Sequence, residues 1–140
     1  MKRVTGLGGI FFKTPDPEEL KGWYRRHLGI ESDPWGFSFL WREMDDPEKR
    51  GYTVWSPFPI STEYFSPSEQ PFMINYRVDD LDALLPALRE EGVEVVDGPV
   101  REENGKFAWI LDPHGRKIEL WEPVDSNQDP YLPDDSASTG

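Results

Sequence analysis

The chain has no cysteine and only two histidines, so disulfide frameworks, thiolate metal sites and cysteine nucleophiles are excluded, and imidazole chemistry is confined to His27 and His114. Positive charge is scarce as well. Lys and Arg number 15 against 27 Asp and Glu, a formal net charge of −12, and that field repels phosphate backbones and anionic lipid surfaces. Neither a nucleic-acid partner nor a membrane partner is expected. No apolar stretch approaches the ~18 residues of a membrane span, and the start Met1-Lys2-Arg3-Val4-Thr5-Gly6 lacks a signal-peptide core, so the expectation is a cytoplasmic protein. No dinucleotide fingerprint is present: Gly6-Leu7-Gly8-Gly9 opens onto a strand and lacks the third glycine. Aromatic residues, by contrast, are abundant. Six Trp, five Tyr and eight Phe make up 14% of the 140 residues, more bulk than the core of so polar a chain requires, and they point to a binding surface.

Residues 6–13 are apolar and rich in strand formers and stop at Thr14-Pro15. A helix is predicted next, with Asp16 as its N-cap, Pro17 at the first position, acids in the first turn, bases in the last and Gly29 as the stop. Leu20, Trp23, Tyr24 and Leu28 form its predicted core face. Strand patterns follow over 35–42 and 51–55, so the helix is followed by two or three strands. The stretch 57–71 carries Pro57, Pro59, Pro67 and Pro71 and reads as an irregular connector. Beyond it come an alternating strand over 72–78, a helix capped by Asp79 or Asp80 with an irregularity expected at Pro86, and strands over 94–100, 105–111 and 116–122. Residues 125–140, acidic and without apolar periodicity, are expected to form a loose tail.

The two halves repeat. A shift of 64 residues lays Gly9 on Met73, Asp16 on Asp80, Leu20 on Leu84 and Trp55 on Glu119, which gives an α+β chain of two βαβββ modules, one over about 4–56 and one over about 72–124.

With this pattern, Asp16-Pro17-Glu18-Glu19-Leu20, Trp23-Tyr24, His27-Leu28-Gly29, Val78-Asp79-Asp80-Leu81-Asp82, Glu91-Gly92-Val93 and above all residues 111–122 (LDPHGRKIELWE) resemble the vicinal oxygen chelate superfamily, the glyoxalase, bleomycin-resistance and extradiol-dioxygenase group, over roughly 4–124. The resemblance implies one domain whose two modules form a curved mixed sheet, a cup, with the helices on its outer face and often a second subunit beside it. In metal-using members the ligands come from the first and last strands of each module. Those positions here are Gly9, Trp55, Met73 and Glu119, and Glu119 alone keeps a ligating side chain. One carboxylate falls short of a divalent site. Neither Asn75 nor the two histidines completes it, so no metal and no cofactor is expected.

Strand parity, taken from Glu119, assigns Phe11, Phe39, Trp41, Trp55, Met73, Asn75, Phe107 and Trp109 to the cup with it, and Ile10, Phe12, Leu40, Val54, Ile74, Tyr76 and Ile110 to the helix side. A carboxylate among aromatic faces suits a small aromatic or cationic ligand held by stacking, cation–π attraction and charge pairing. Metal-independent binding of such a molecule is the first expectation. An enzyme of lyase, isomerase or dioxygenase type, using Glu119 as acid or base or an unrecognised divalent metal, is the second. A structural or regulatory dimer module is the third. Apolar surface and open sheet edges, together with the resemblance, lead to the expectation of a homodimer.

Overall fold

Local chemistry sets both helices. The Asp16 side chain accepts from the backbone N–H of Glu19 at 3.1 Å, and at the far end Gly29 takes φ 72°, a left-handed conformation that favours glycine. Between them lies α1 (Pro17–Leu28). Asp80 caps α2 (Leu81–Glu90) in the same way, through Ala83, and α2 runs on through Pro86 to Glu90. Leu81, Leu84 and Leu85 of α2 are buried, and that packing offsets the backbone hydrogen bond that proline cannot donate.

The structure is a computed structural model that describes residues 2–134. Seven strands form one open, curved mixed sheet in the order β2-β3-β1-β4-β7-β6-β5, with β1 (Val4–Thr14), β2 (Phe37–Arg42), β3 (Arg50–Pro59), β4 (Phe72–Val78), β5 (Val95–Glu102), β6 (Gly105–Leu111) and β7 (Lys117–Pro123). β1 and β4 pair antiparallel at the centre, and each pairs in parallel with the last strand of its own module, β3 or β7. The α+β cup is thus present, with one difference between its halves. Module one has two strands after its helix rather than three, and the place of the missing strand holds only an isolated bridge between Asp33 and Gly36.

Module two keeps the expected faces. Tyr76, Ile110, Ile118 and Leu120 pack with α2, while Met73, Asn75, Glu119, Trp109 and Phe107 share the opposite side. In module one β3 is turned over. Phe11 stands opposite Ser56, whereas the equivalent Asn75 stands opposite Glu119, so the partner lies one residue further along the chain than in module two. A slip of one residue moves every side chain of a strand to the other face. Val54 therefore joins the cup cluster, and Trp55 meets Phe12 and Tyr24 on the helix side. β3 also continues to Pro59, so three residues expected in the connector belong to the sheet.

α1 is covered less than its pattern predicts: Trp23 is 46% exposed and Leu28 60%, and its buried residue is Lys21, which donates to the Pro34 carbonyl at 2.7 Å. The segment after β7 is more ordered than its composition suggests. Asp129 is buried and accepts from the Tyr52 hydroxyl at 2.9 Å, Arg50 donates to the carbonyls of Ser126 and Pro133, and Tyr131 donates to Glu103. Side-chain donors from β3 thus hold residues 125–134 against the rim of the cup, a strap rather than a loose tail. The rest of the expected tail, 135–140, lies outside the described residues.

Candidate functional site

Glu119 lies mid-strand in β7 and is 3% exposed. Burial of a carboxylate requires donors, and three reach it. Asn75, opposite it on β4, donates Nδ2–H to Oε1 at 2.5 Å. Trp109, opposite it on β6, donates its indole N–H to Oε2 at 2.8 Å. The third donor is the Tyr64 hydroxyl, in a short hydrogen bond to Oε2. Gly8 makes room for this arrangement: a Cβ there would stand 2.0 Å from Asn75 Oδ1.

The connector closes over the cup. Phe65 is wholly buried in a cluster with Phe11, Met73 and Trp109, and Val54, Phe58 and Phe107 pack against that cluster. Tyr64 stacks on Phe58 with the rings 2° from parallel, and Lys117 donates to the Tyr64 carbonyl at 2.8 Å while its ammonium lies 5.5 Å from the Tyr64 ring centre. Burial, and next the Glu119 charge, push the Tyr64 hydroxyl far above the ordinary phenol range. Burial lowers the Lys117 ammonium.

Open space remains beside this plug. A cavity of about 320 Å³ lies against Phe107 and Trp109, bounded by Tyr64, Val100, Glu102, Asn104 and Tyr131. A second, of about 290 Å³, lies against Trp35, Tyr52 and Val54 and shares Asn104 and Tyr131 with the first. Together they form an aromatic cleft between the connector, the β5–β6 hairpin and the strap.

Of the residues assigned to the cup from parity, Phe11, Met73, Asn75, Phe107, Trp109 and Glu119 come together. Three do not. Trp55 faces α1, as the register of β3 requires. Phe39 lies opposite Thr53, on the face of Trp55, and is 45% exposed beside Phe37 at the sheet edge. Trp41 crosses Gly51 and Gly6 and stacks on Arg77, 4.9 Å from its guanidinium. Glu102, Asn104 and Tyr131 lie outside the predicted site residues, and Tyr64 enters the site from the connector. An aromatic pair inside a proline-rich connector and an aromatic in an acidic segment were the signals available for Tyr64 and Tyr131.

A divalent metal does not fit the cup. Both Glu119 oxygens are taken by N–H and O–H donors, the position that register makes equivalent to Glu119 is Ser56, and its hydroxyl donates to the Trp35 carbonyl at 2.6 Å. His27 packs on Trp23 at the end of α1, and His114 sits in the turn before β7. Among the described residues no three of His, Cys, Asp and Glu are grouped as a metal would need.

The chain is similar in fold to methylmalonyl-CoA epimerases. That of Mycobacterium tuberculosis is 25% identical, with a TM-score of 0.59, over 86% of this chain and 89% of that one. A variant of the Streptomyces coelicolor enzyme in complex with 2-nitronate-propionyl-CoA is 18% identical, with a TM-score of 0.64, over 86% and 96%. A Legionella pneumophila structure described as an NAD-dependent benzaldehyde dehydrogenase is 14% identical, with a TM-score of 0.54, over 83% and 98%. No curated protein sequence matches. A family model matches residues 6–120, most of the chain, and by that match the protein belongs to the glyoxalase/bleomycin resistance protein/dioxygenase superfamily.

Proposed function

We propose that the protein binds a small aromatic cation, without a metal, in the cleft over Phe107 and Trp109. The observation that carries this reading is the division of labour inside the cup. Both oxygens of Glu119 accept from protein donors and Phe65 packs in the cup beside it, so the volume left for a ligand is lined by Tyr64, Phe107, Trp109 and Tyr131, with the exposed acid Glu102 beside it. Ring faces attract a cation by ~0.5–2 kcal/mol each, according to desolvation. A carboxylate at the rim and a chain charge of −12 act in the same sense. Glu119 is then the anchor of the connector and shapes the cleft indirectly. The test is a titration with benzyltrimethylammonium and with neutral benzyl alcohol, read by tryptophan fluorescence. Saturable binding of the cation, weaker for the alcohol and reduced about threefold or more by Glu102→Gln, is expected. Equal affinity for both compounds removes the cationic assignment.

The Tyr64–Glu119 contact favours a second reading, an enzyme. Tyr64 lies on the connector rather than on the sheet, and its departure would expose a carboxylate able to act as a base. The neighbours' substrate, methylmalonyl-CoA, is the natural probe. Deuterium uptake at its α-carbon from heavy water, abolished by Glu119→Gln, is the expected signature of this reading; no uptake leaves binding alone.

A homodimer is also proposed. Trp23, Leu28, Phe39 and Leu40 of module one are 46%, 60%, 45% and 56% exposed, more apolar surface than an isolated small domain usually leaves in water. Sedimentation at micromolar concentration is expected to give particles of twice 16.2 kDa.

A further inference from the structure

Arg77 follows Asn75 on the cup side of β4, and it is buried, 8% exposed, in a strongly acidic chain. No carboxylate pairs with it among the described residues. Its guanidinium instead sits by two indoles, 4.9 Å from the ring centre of Trp41 and 4.6 Å from that of Trp121. Rings satisfy the faces of a guanidinium, but its five N–H groups lie in its plane and still need acceptors. Nη1 is enclosed and has none.

Arg77 lines a cavity of about 300 Å³ at the end of the sheet where β4 and β7 finish. A second arginine lines the same cavity. Arg50 spends Nη1 and Nη2 on the carbonyls of Pro133 and Ser126, and its Nε is buried without a partner. Lys49 adds a third cation there, and Thr5 and Ser126 add hydroxyls. Two guanidinium groups line this one cavity, and a planar guanidinium is complementary to a planar oxyanion. Glu43, Asp79 and Asp125 line the cavity too and balance the three cations in formal charge. That balance disfavours a dianion such as phosphate and leaves a singly charged carboxylate as the matching group.

We propose that this cavity is a second binding site, which takes a small carboxylate through Arg77 and Arg50. It shares no lining residue with the aromatic cleft. Trp121 touches both: its ring stacks on Phe107 of the cleft, 10° from parallel, and lies against Arg77 of the cavity. Burial depresses the Arg77 pKa, a penalty on the cation that a bound anion relieves.

The experiment uses the full chain labelled with ¹⁵N-arginine and titrated with sodium acetate, and separately with inorganic phosphate, at ionic strength held constant with chloride. The Nε–H resonances of Arg77 and Arg50 are expected to follow one saturable curve with acetate, and phosphate is expected to bind at least severalfold more weakly. Arg77→Lys keeps the charge without the planar fork and is expected to weaken acetate binding about tenfold or more. Arg50→Gln, which removes the second guanidinium from the lining, is expected to weaken it as well and serves if the first variant does not fold. Shifts that rise only linearly with acetate overturn the site, as does undiminished binding in a folded variant. Phosphate binding as tight as acetate overturns the carboxylate assignment.

Discussion

Glu119 accepts from three donors, and its chemistry follows from them. Replacing it by Gln keeps the shape but turns one acceptor oxygen into an N–H₂ facing other donors. The expected cost is about 2–3 kcal/mol of stability, the scale of charged hydrogen bonds and of donors left unfilled. Affinity for the aromatic cation is expected to change less than about twofold, because that ligand does not touch Glu119. Denaturant titration and fluorescence binding on the same variant check both halves. Tyr64 adds a pH dependence whose sign is fixed. Its folded pKa lies above the unfolded value of 10.0, so the stability it contributes is complete below pH 10 and is lost as pH rises further, where the unfolded chain releases the proton and the folded chain holds it. Tyr52, raised by burial, contributes in the same direction. Unfolding free energies measured from pH 8 to 11 are expected to fall more steeply in the native protein than in Tyr64→Phe.

Elements differ in how far the sequence reveals them, and β3 marks the boundary. Caps and stops are local chemistry, so both helices and the strands of module two are legible, though not the unbroken passage of α2 through Pro86: Asp16, Gly29 and Asp80 act through residues three or four positions away. The face of β3 is set by pairing with β1, more than forty residues distant, and a slip of one residue there exchanges Val54 for Trp55 without leaving any trace in local alternation. The site divides along the same line. Asn75, Trp109 and Glu119 follow from strand parity within module two, whereas Tyr64 reaches the carboxylate from a connector whose path no periodicity records. Trp55→Ala consequently becomes a test of architecture. It is expected to cost about 3–5 kcal/mol by emptying the space between Phe12, Tyr24 and α1, with ligand affinity in the folded fraction unchanged. Calorimetry and fluorescence titration separate the two effects. Phe65→Ala, by contrast, opens the cup beneath the connector and is expected to alter both.

Across the whole molecule, the strap over 125–134 joins the arginine cavity to the aromatic cleft. Ser126 belongs to the arginine cavity, Tyr131 to the aromatic cleft, and Asp129 fastens the segment between them to Tyr52. Ending the chain after Val124 is therefore expected to weaken aromatic-cation binding about tenfold and to remove the charged hydrogen bond from Tyr52 to Asp129, at about 1–3 kcal/mol. Binding and thermal unfolding of the shortened chain measure the two. The acidic surface acts over a longer range: the association rate of a cationic ligand is expected to fall as salt is raised from 0.01 to 0.15 M, since the screening length contracts from ~30 to ~8 Å.

An aromatic cleft beside a carboxylate held by protein donors binds its ligand without a metal. The indole N–H resonance of Trp109 reports on both parts, because that proton is donated to Glu119 while the ring lines the cleft. Benzyltrimethylammonium is expected to shift this resonance saturably, with the same dissociation constant in protein stripped by chelator and in protein supplied with zinc, and the proton is expected to stay hydrogen-bonded throughout. A shift that appears only when metal is added, or loss of the Trp109 hydrogen bond as metal binds Glu119, would contradict it.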